Sequence, residues 1–254
     1  MVAWGIIVWG LVLAGQEPPI PGSPEAEADA AIAEFKRNFY RPGSTEDELV
    51  LAVRTLGQTP HAKTLAVLIP LVGEDVNPNS TRPVATRIVA ALVLAGFGKV
   101  EGTSEALIKA YRQCSTRAVS RPVRIQIIQT LGELKAEDAA ALINFAIFDN
   151  DPWIARAGIK AAGRLRGISA IDPLIKRLQK VESKDGGKPA SDVPDPKDGR
   201  DPNDQVDRHR RSERQVLEAP LHEALTSITR LRHSCGETWA KWWAQARKDY
   251  KVPP

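Results

Sequence analysis

Two stretches of this chain can be laid over one another at a fixed offset of 31 residues. They are "VRIQIIQTLGELKAEDAAALINFAI" from Val123 and "IARAGIKAAGRLRGISAIDPLIKRL" from Ile154. Val123 meets Ile154, Ile128 meets Ile159, Gly132 meets Gly163 and Leu134 meets Leu165. The ladder continues with Ala139 on Ala170, Ile143 on Leu174 and Ile147 on Leu178. Stepping back by 36 residues, Leu92, Gly96, Leu107 and Tyr111 fall on Ile128, Gly132, Ile143 and Ile147. Each unit reads as a helix, a short turn and a second helix. Such a pair has an apolar face that it cannot bury alone, and stacked neighbours give it a continuous core. The pattern therefore predicts an all-α fold, an α-solenoid of stacked antiparallel helix pairs. No run alternates apolar and polar residues in the manner of a strand.

The stretch "DNDPWIARAGIKAAGRL", Asp149 to Leu165, condenses one unit. Ile154, Ile159, Ala162 and Leu165 form its apolar stripe, while Gly158, Ala161 and Gly163 allow neighbouring helices to approach closely. Arg156, Lys160 and Arg164 lie four residues apart and share another face. Gln126, Gln129 and Glu133 hold the corresponding face one unit earlier. These six residues are the candidate partner-binding face. Turns leaving the alanine-rich helices are short: "GQTP", "GKVEGT", "LKA". Turns entering them vary at 73–81, 115–120, 149–151 and 182–207, so all insertions emerge on one edge of the array. In solenoids such an edge often marks the binding side.

"DNDPWIARAGIKAAGRL" followed by "AIDPLIKRL" resembles a HEAT or HEAT-like repeat, the type also seen in phycobilin lyase subunits. "RPVRIQIIQTLGEL" and "RPVATRIVAALVLAGFG" resemble it more loosely, and the resemblance covers Thr45 to Val181. It implies that the helix carrying Arg156, Lys160 and Arg164 lines the concave side. The tail "EALTSITRLRHSCGETWAKWWAQ" is similar to the closing segment of exported bacterial HEAT-repeat proteins of unassigned function. The resemblance implies an interaction scaffold whose partner is another protein or peptide. A lyase-like chaperone or enzyme subunit using the groove is the alternative.

The sequence divides as follows. Residues 1–15 read as a signal peptide: Val2 to Ala14 is an apolar run of signal-core size, too short to span a bilayer, followed by "GQEPP". No Lys or Arg precedes that run. Export to the periplasm or beyond is the expectation, with a cytoplasmic chain if the segment is not a signal. Residues 16–23 are a linker, and helical repeats occupy 24–181, opening with Ser23 as N-cap and Pro24 at the first helical position. Ala28, Ile32, Phe35 and Phe39 fall on one face of that first helix. Residues 182–207 combine acids at every third position from Asp192 to Asp207 with four prolines and almost no apolar side chains, a composition for a flexible insertion. Residues 208–254 supply the last helix of the array, with a kink or break expected near Ala219 before Pro220. A cap helix follows, bearing Trp239, Trp242 and Trp243 at i, i+3, i+4.

No catalytic, cofactor or metal site is legible. The calcium-loop spacing is absent from the acidic segment. His61, His209, His222 and His233 are scattered, and His222 and His233 with Cys235 lack zinc-site spacing. The single His222–Glu223 pair falls short of the several His–Glu pairs of deoxyhypusine hydroxylase, a HEAT-like iron enzyme. Neither a nucleophile elbow nor a phosphate loop occurs. A net charge of +4 is too modest for a nucleic-acid groove. Two cysteines, Cys114 and Cys235, lie too far apart in a solenoid to bridge. The mature chain is expected to be a monomer without a membrane span. Intact-mass measurement of the protein from its native host checks the leader: the expected species lacks Met1 and the apolar run, and a retained Met1 refutes it.

Overall fold

The computed structural model describes residues 22–73, 83–114, 120–183 and 202–253, with the side chains of 202–212 excluded. All regular structure among the described residues is helical. The helices are α1 (Pro24–Phe39), α2 (Glu46–Leu56), α3 (Ala62–Val72), α4 (Val84–Val93), α5 (Thr103–Gln113), α6 (Arg121–Glu133), α7 (Ala140–Ala146), α8 (Pro152–Leu165), α9 (Ile171–Ser183), α10 (Pro202–Thr229) and α11 (Gly236–Ala246).

Their starts follow from local chemistry. The first turn of a helix leaves backbone N–H groups without partners, and short polar side chains supply them. Ser23 Oγ accepts from Ala26 N, and Asp151 Oδ1 accepts from Trp153 N and Ile154 N. Thr45 and Glu48 form a reciprocal capping box at α2.

The helices sort into two layers. α2, α4, α6, α8 and α10 pack successively on one another; α1, α3, α5, α7, α9 and α11 make the second layer, partly through the short 3₁₀ turns at Glu137–Ala139 and Ile168–Ala170. α1, α3, α5, α7 and α9 also pack against α2, α4, α6, α8 and α10 in turn, and the core is one continuous cluster running from Phe35 to Trp243. That is an α-solenoid of antiparallel helix pairs.

The first layer owes its spacing to small residues. A Cβ on Gly132 would lie 2.8 Å from the Ala161 Cα, and one on Gly163 would lie 3.0 Å from the Ala224 Cα. Gly158 faces the other layer, where a Cβ would sit 2.9 Å from backbone atoms of Ala146 and Ile147. Side chains then bond across the narrow gaps: Thr130 Oγ1 donates to the Ala91 carbonyl at 2.8 Å and Ser227 Oγ to the Gly163 carbonyl at 3.0 Å.

The repeat ladder needs one correction. Ile143 and Ile147 do find buried counterparts in Leu107 and Tyr111. In α4, however, Leu92 is 40% exposed, and nothing lies within 4 Å of a Cβ on Gly96. The fully buried residues here, Thr86, Ala90 and Ala91 of α4 and Leu94 just after it, fall on Val123, Ile127, Ile128 and Leu131 at an offset of 37. The first helix of this unit is therefore one residue out of step with its second. The turn after the 3₁₀ segment Leu94–Phe97 absorbs the difference, ending at Gly102 with φ +80°.

The C-terminal part also differs from the sequence reading. Helix α9 continues to Ser183, and Glu182 accepts a hydrogen bond from Gly236 N at 2.8 Å. Helix α10 starts at Pro202, inside the stretch read as a flexible insertion; the rest of that stretch lies outside the described residues, as does the 1–15 leader. Pro220 does not break α10. Proline removes one N–H and frees one carbonyl, but Leu217, Leu221, Leu225 and Ile228 keep the helix seated against α8 and α9 on both sides of it. The tail closes the array: Trp239 is fully buried, Trp243 nearly so, and Trp242 packs beside them with Tyr250, whose ring centroid is 5.5 Å from that of Trp242. No helix among the described residues is long and apolar enough to cross a membrane.

The glycine contacts make a test. A glycine-to-alanine change inside a helix gains up to about 1 kcal/mol of propensity, whereas overpacking a filled site costs about 1–3 kcal/mol. At Gly132 and Gly158 the obstruction is backbone, so Gly132→Ala and Gly158→Ala are expected to lower the unfolding midpoint. Gly96→Ala, with open space, is expected to leave it level or raise it. Thermal melts of the three variants decide this; equal midpoints would show that the layers are not in this close contact.

Candidate partner-binding surfaces

Arginines tie the ends of neighbouring helices together. Arg87, buried on α4, donates from Nε to the Val72 carbonyl at the end of α3 and from Nη2 toward Cys114 Sγ, 3.6 Å away at the end of α5. Arg124 stands 37 residues later, in the same place on α6. Its Nη2 donates to Tyr111 Oη at 2.9 Å and to Asp149 Oδ2 at 3.1 Å, and its guanidinium lies 5.0 Å from the Tyr111 ring centroid. Burial raises the Tyr111 phenol pKa above its ordinary value despite that cation, so Tyr111 remains neutral. Farther along, Arg177 on α9 meets Glu213 on α10 at 2.7 Å with only 3% of its side chain exposed. Burial there lowers the guanidinium pKa, and the Glu213 carboxylate opposes the shift.

Around Arg124 the surface is aromatic. Phe145 on α7 is 70% exposed, Phe148 41% and Trp153 45%. Phe145 and Arg124 line two clefts at once. One, of about 440 Å³, is completed by Tyr111, Arg112, Cys114, Ala141 and Leu142. The other, of about 540 Å³, is completed by Arg121, Phe148, Asp149, Asn150, Asp151 and Ile154. The acids here are fully engaged. Asp149 accepts from Arg124 and from Asp151 N; Asp151 caps α8 and pairs with Arg121 at 3.2 Å. Both clefts sit on the edge where the variable turns emerge.

The six residues chosen from the sequence fall elsewhere. Gln126, Gln129 and Glu133 lie on α6, and Arg156, Lys160 and Arg164 on α8, all in the first layer. Two of them are spent on each other: Arg164 Nη1 bonds Glu133 Oε1 at 2.9 Å, joining adjacent repeats. Arg156 is half-buried, with its guanidinium 5.6 Å from the Trp153 ring centroid, and Gln126 points to Thr130 at 3.4 Å. Lys160 and Arg164 line a cleft of about 250 Å³ with Pro220, Glu223 and Ser227 of α10. Arg121, Arg124, Phe145, Phe148 and Trp153 were missed. The signal was there: Phe145 is two residues from both Ile143 and Ile147, which puts a large aromatic side chain opposite the buried ladder.

One cation-capable grouping occurs among the described residues. Ligand atoms of Glu182, Glu218 and His222 lie within 4.8 Å of one another. Their chemistry is already committed to the protein. Glu182 accepts from Gly236 N, His222 Nδ1 from the Trp239 indole at 3.5 Å, and Glu218 is forked by Arg214 at 2.8 and 3.4 Å. A guanidinium at the carboxylate opposes a divalent ion in the same place. Cys235, the other ligand type considered from sequence, instead caps α11 with Thr238.

Comparison with known proteins gives one result. A family model described as HEAT repeats matches residues 115–185, the part of the chain that holds α6 to α9. No curated protein matches the sequence.

Cys114 and Cys235 differ in environment. Hydrogen bonding from the Thr238 backbone and side chain, the backbone first, lowers the Cys235 pKa below the ordinary thiol value, while Cys114 is buried beside Arg87. Thiolate content and access together set alkylation rates. Iodoacetamide at neutral pH is expected to modify Cys235 first in the folded protein, as read by peptide mapping; earlier modification of Cys114 would contradict the packing at the end of α5.

Proposed function

Because this chain is a HEAT-repeat protein, we propose that it is a non-catalytic scaffold that binds another protein or a peptide. HEAT repeats commonly mediate protein–protein interaction. The observation that carries the reading for this chain is Phe145 and Phe148, two large apolar side chains exposed in the lining of the clefts, with Trp153 exposed at the start of α8. Aromatic and arginine side chains are the residue types that dominate interface energetics. The ionisable groups of the clefts support binding over chemistry, since Arg121, Arg124, Asp149 and Asp151 are held in ion pairs. A lyase-like role would need such groups free and converging on a substrate. The first-layer face with Lys160 stands as a secondary contact area. The N-terminal apolar run supports export, to the periplasm or the extracellular space, as part of the same proposal.

Site-specific photo-crosslinking in the native host tests this. A crosslinking residue placed at 145 or 153 is expected to capture one discrete protein species, and the same residue at exposed Lys176 on α9 is not. Equal capture at all three positions, or none at 145 and 153, would remove this edge as the contact surface.

A further inference from the structure

We propose that the cleft between the end of α10 and the start of α11 binds a phosphoryl group, as a monoester or as the free anion. The site lies apart from the aromatic edge and goes beyond the scaffold reading.

The walls are rich in donors. The cleft holds about 710 Å³, within the range of about 300–1,000 Å³ typical of small-molecule sites. Every residue lining it is polar or charged. Arg230, Arg232, Thr226 and Ser234 supply donors, with the imidazoles of His222 and His233 beside them. Both arginines are exposed, and neither side chain makes a hydrogen bond or ion pair among the described residues. They stand on one turn whose backbone is fixed. Arg230 is left-handed, with φ +61°, and its N–H donates to the Thr226 carbonyl at 2.8 Å. Thr229 Oγ1 donates to the Leu225 carbonyl at 2.7 Å and accepts from Leu231 N at 3.1 Å. The histidines are held as well. The His233 ring packs edge-on against buried Trp239 with centroids 4.5 Å apart, and the Trp239 indole donates to His222 Nδ1 at 3.5 Å.

Charge selects an anion. The one acid lining this cleft is Glu223. Glu223 and Ser227 also line the neighbouring cleft that holds Lys160 and Arg164. Arg164 is paired with Glu133, whereas Lys160 is exposed and makes no ion pair among the described residues. Lys160, Arg230 and Arg232 are thus uncommitted cations facing a single uncommitted carboxylate. Close to His222, Glu218 is already forked by Arg214, and Glu182 bonds Gly236 N. The number of donors then selects among anions. A carboxylate offers two oxygens in one plane. A phosphoryl group offers three acceptor oxygens and about two negative charges at neutral pH, and guanidinium forks bond such oxygens in pairs. Two free guanidinium groups with hydroxyls beside them exceed what a carboxylate can accept and suit a phosphoryl group.

Isothermal titration calorimetry of the full chain at fixed ionic strength tests the inference. The probes are inorganic phosphate, the tripeptide Gly-phosphoserine-Gly, and acetate. Phosphate and the phosphopeptide are expected to bind, and acetate at least about 10-fold more weakly, as loss of charge-assisted hydrogen bonds requires. Arg230→Gly keeps the left-handed turn, because glycine takes positive φ without strain. It and Arg232→Ser are each expected to weaken phosphate binding about 10-fold. Glu223→Gln is expected to tighten it by removing the opposing charge. Arg112→Ser, which removes an exposed cation from the Phe145 clefts, is expected to leave it unchanged. The Trp239 indole N–H resonance is expected to shift on phosphate addition in the parent and not in the Arg230→Gly, Arg232→Ser double variant. Unchanged melting confirms that the variants fold. Tighter binding of the phosphopeptide than of inorganic phosphate would support a modified partner as the source, and equal binding a free anion. No phosphate binding to the folded protein, acetate binding as tight as phosphate, or equal loss in Arg112→Ser and Arg230→Gly overturns the site. Crosslinking at 145 and 153 is independent of all these outcomes, so either reading can fail alone.

Discussion

The spacing of the first layer governs the rest of the molecule. Where Gly132 faces Ala161 and Gly163 faces Ala224, the helices α6, α8 and α10 approach to backbone contact. Larger residues would push them apart, and interhelical distance is set by the side chains at the crossing. The second layer has no such rule: its helices carry Leu107, Tyr111, Ile143, Leu174 and Leu178 inward. Variation in the turns is then harmless to the core, because the register of the stack is held by contacts inside the helices.

Polar links at the helix ends reinforce that register. Arg87 and Arg124 occupy equivalent places and each spans the end of the preceding second-layer helix and the segment that follows. A buried guanidinium is costly to desolvate and is tolerated only with its partners in place. A slip of one residue in α4 or α6 would strand it. These arginines therefore specify alignment more than they add stability. The same logic applies to Arg177 and Glu213, which join the two elements on either side of the long acidic stretch. That link, with the Glu182 bond to Gly236 N, makes the C-terminal helices part of the array.

Most of the architecture was legible because solenoid packing repeats. An apolar ladder with coincident glycines at Gly132 and Gly163 reports a physical contact, and the structure shows that contact. The offset of 36 misled in α4 because Leu92 and Ala91 are both apolar, so a shift of one residue changes which side chain is buried without changing the pattern. Pro220 does not end α10, because proline rules treat a helix as isolated, whereas α10 is clamped by its apolar side chains on both flanks. The surface was less legible. Arg156, Lys160 and Arg164 form a stripe in sequence, but a stripe shows spacing and not commitment, and Arg164 is already paired with Glu133. Phe145 was absorbed into the apolar count of its helix, although its phase sets it outside the core.

The position of Phe145 also separates binding from folding. Burial of a phenylalanine side chain contributes about 1.5–3 kcal/mol, and at 70% exposure Phe145 leaves most of that unrealised in the folded chain. The same holds to a lesser degree for Phe148 and Trp153. Three such side chains on one edge are surface that the array does not need for its own stability, since its core closes without them from Phe35 to Trp243. Unrealised apolar contact next to a fixed guanidinium is surface that the described residues leave uncovered. An edge whose turns vary freely and whose aromatic side chains stand clear of the core is where a stacked array can acquire specificity without disturbing the spacing that holds it together.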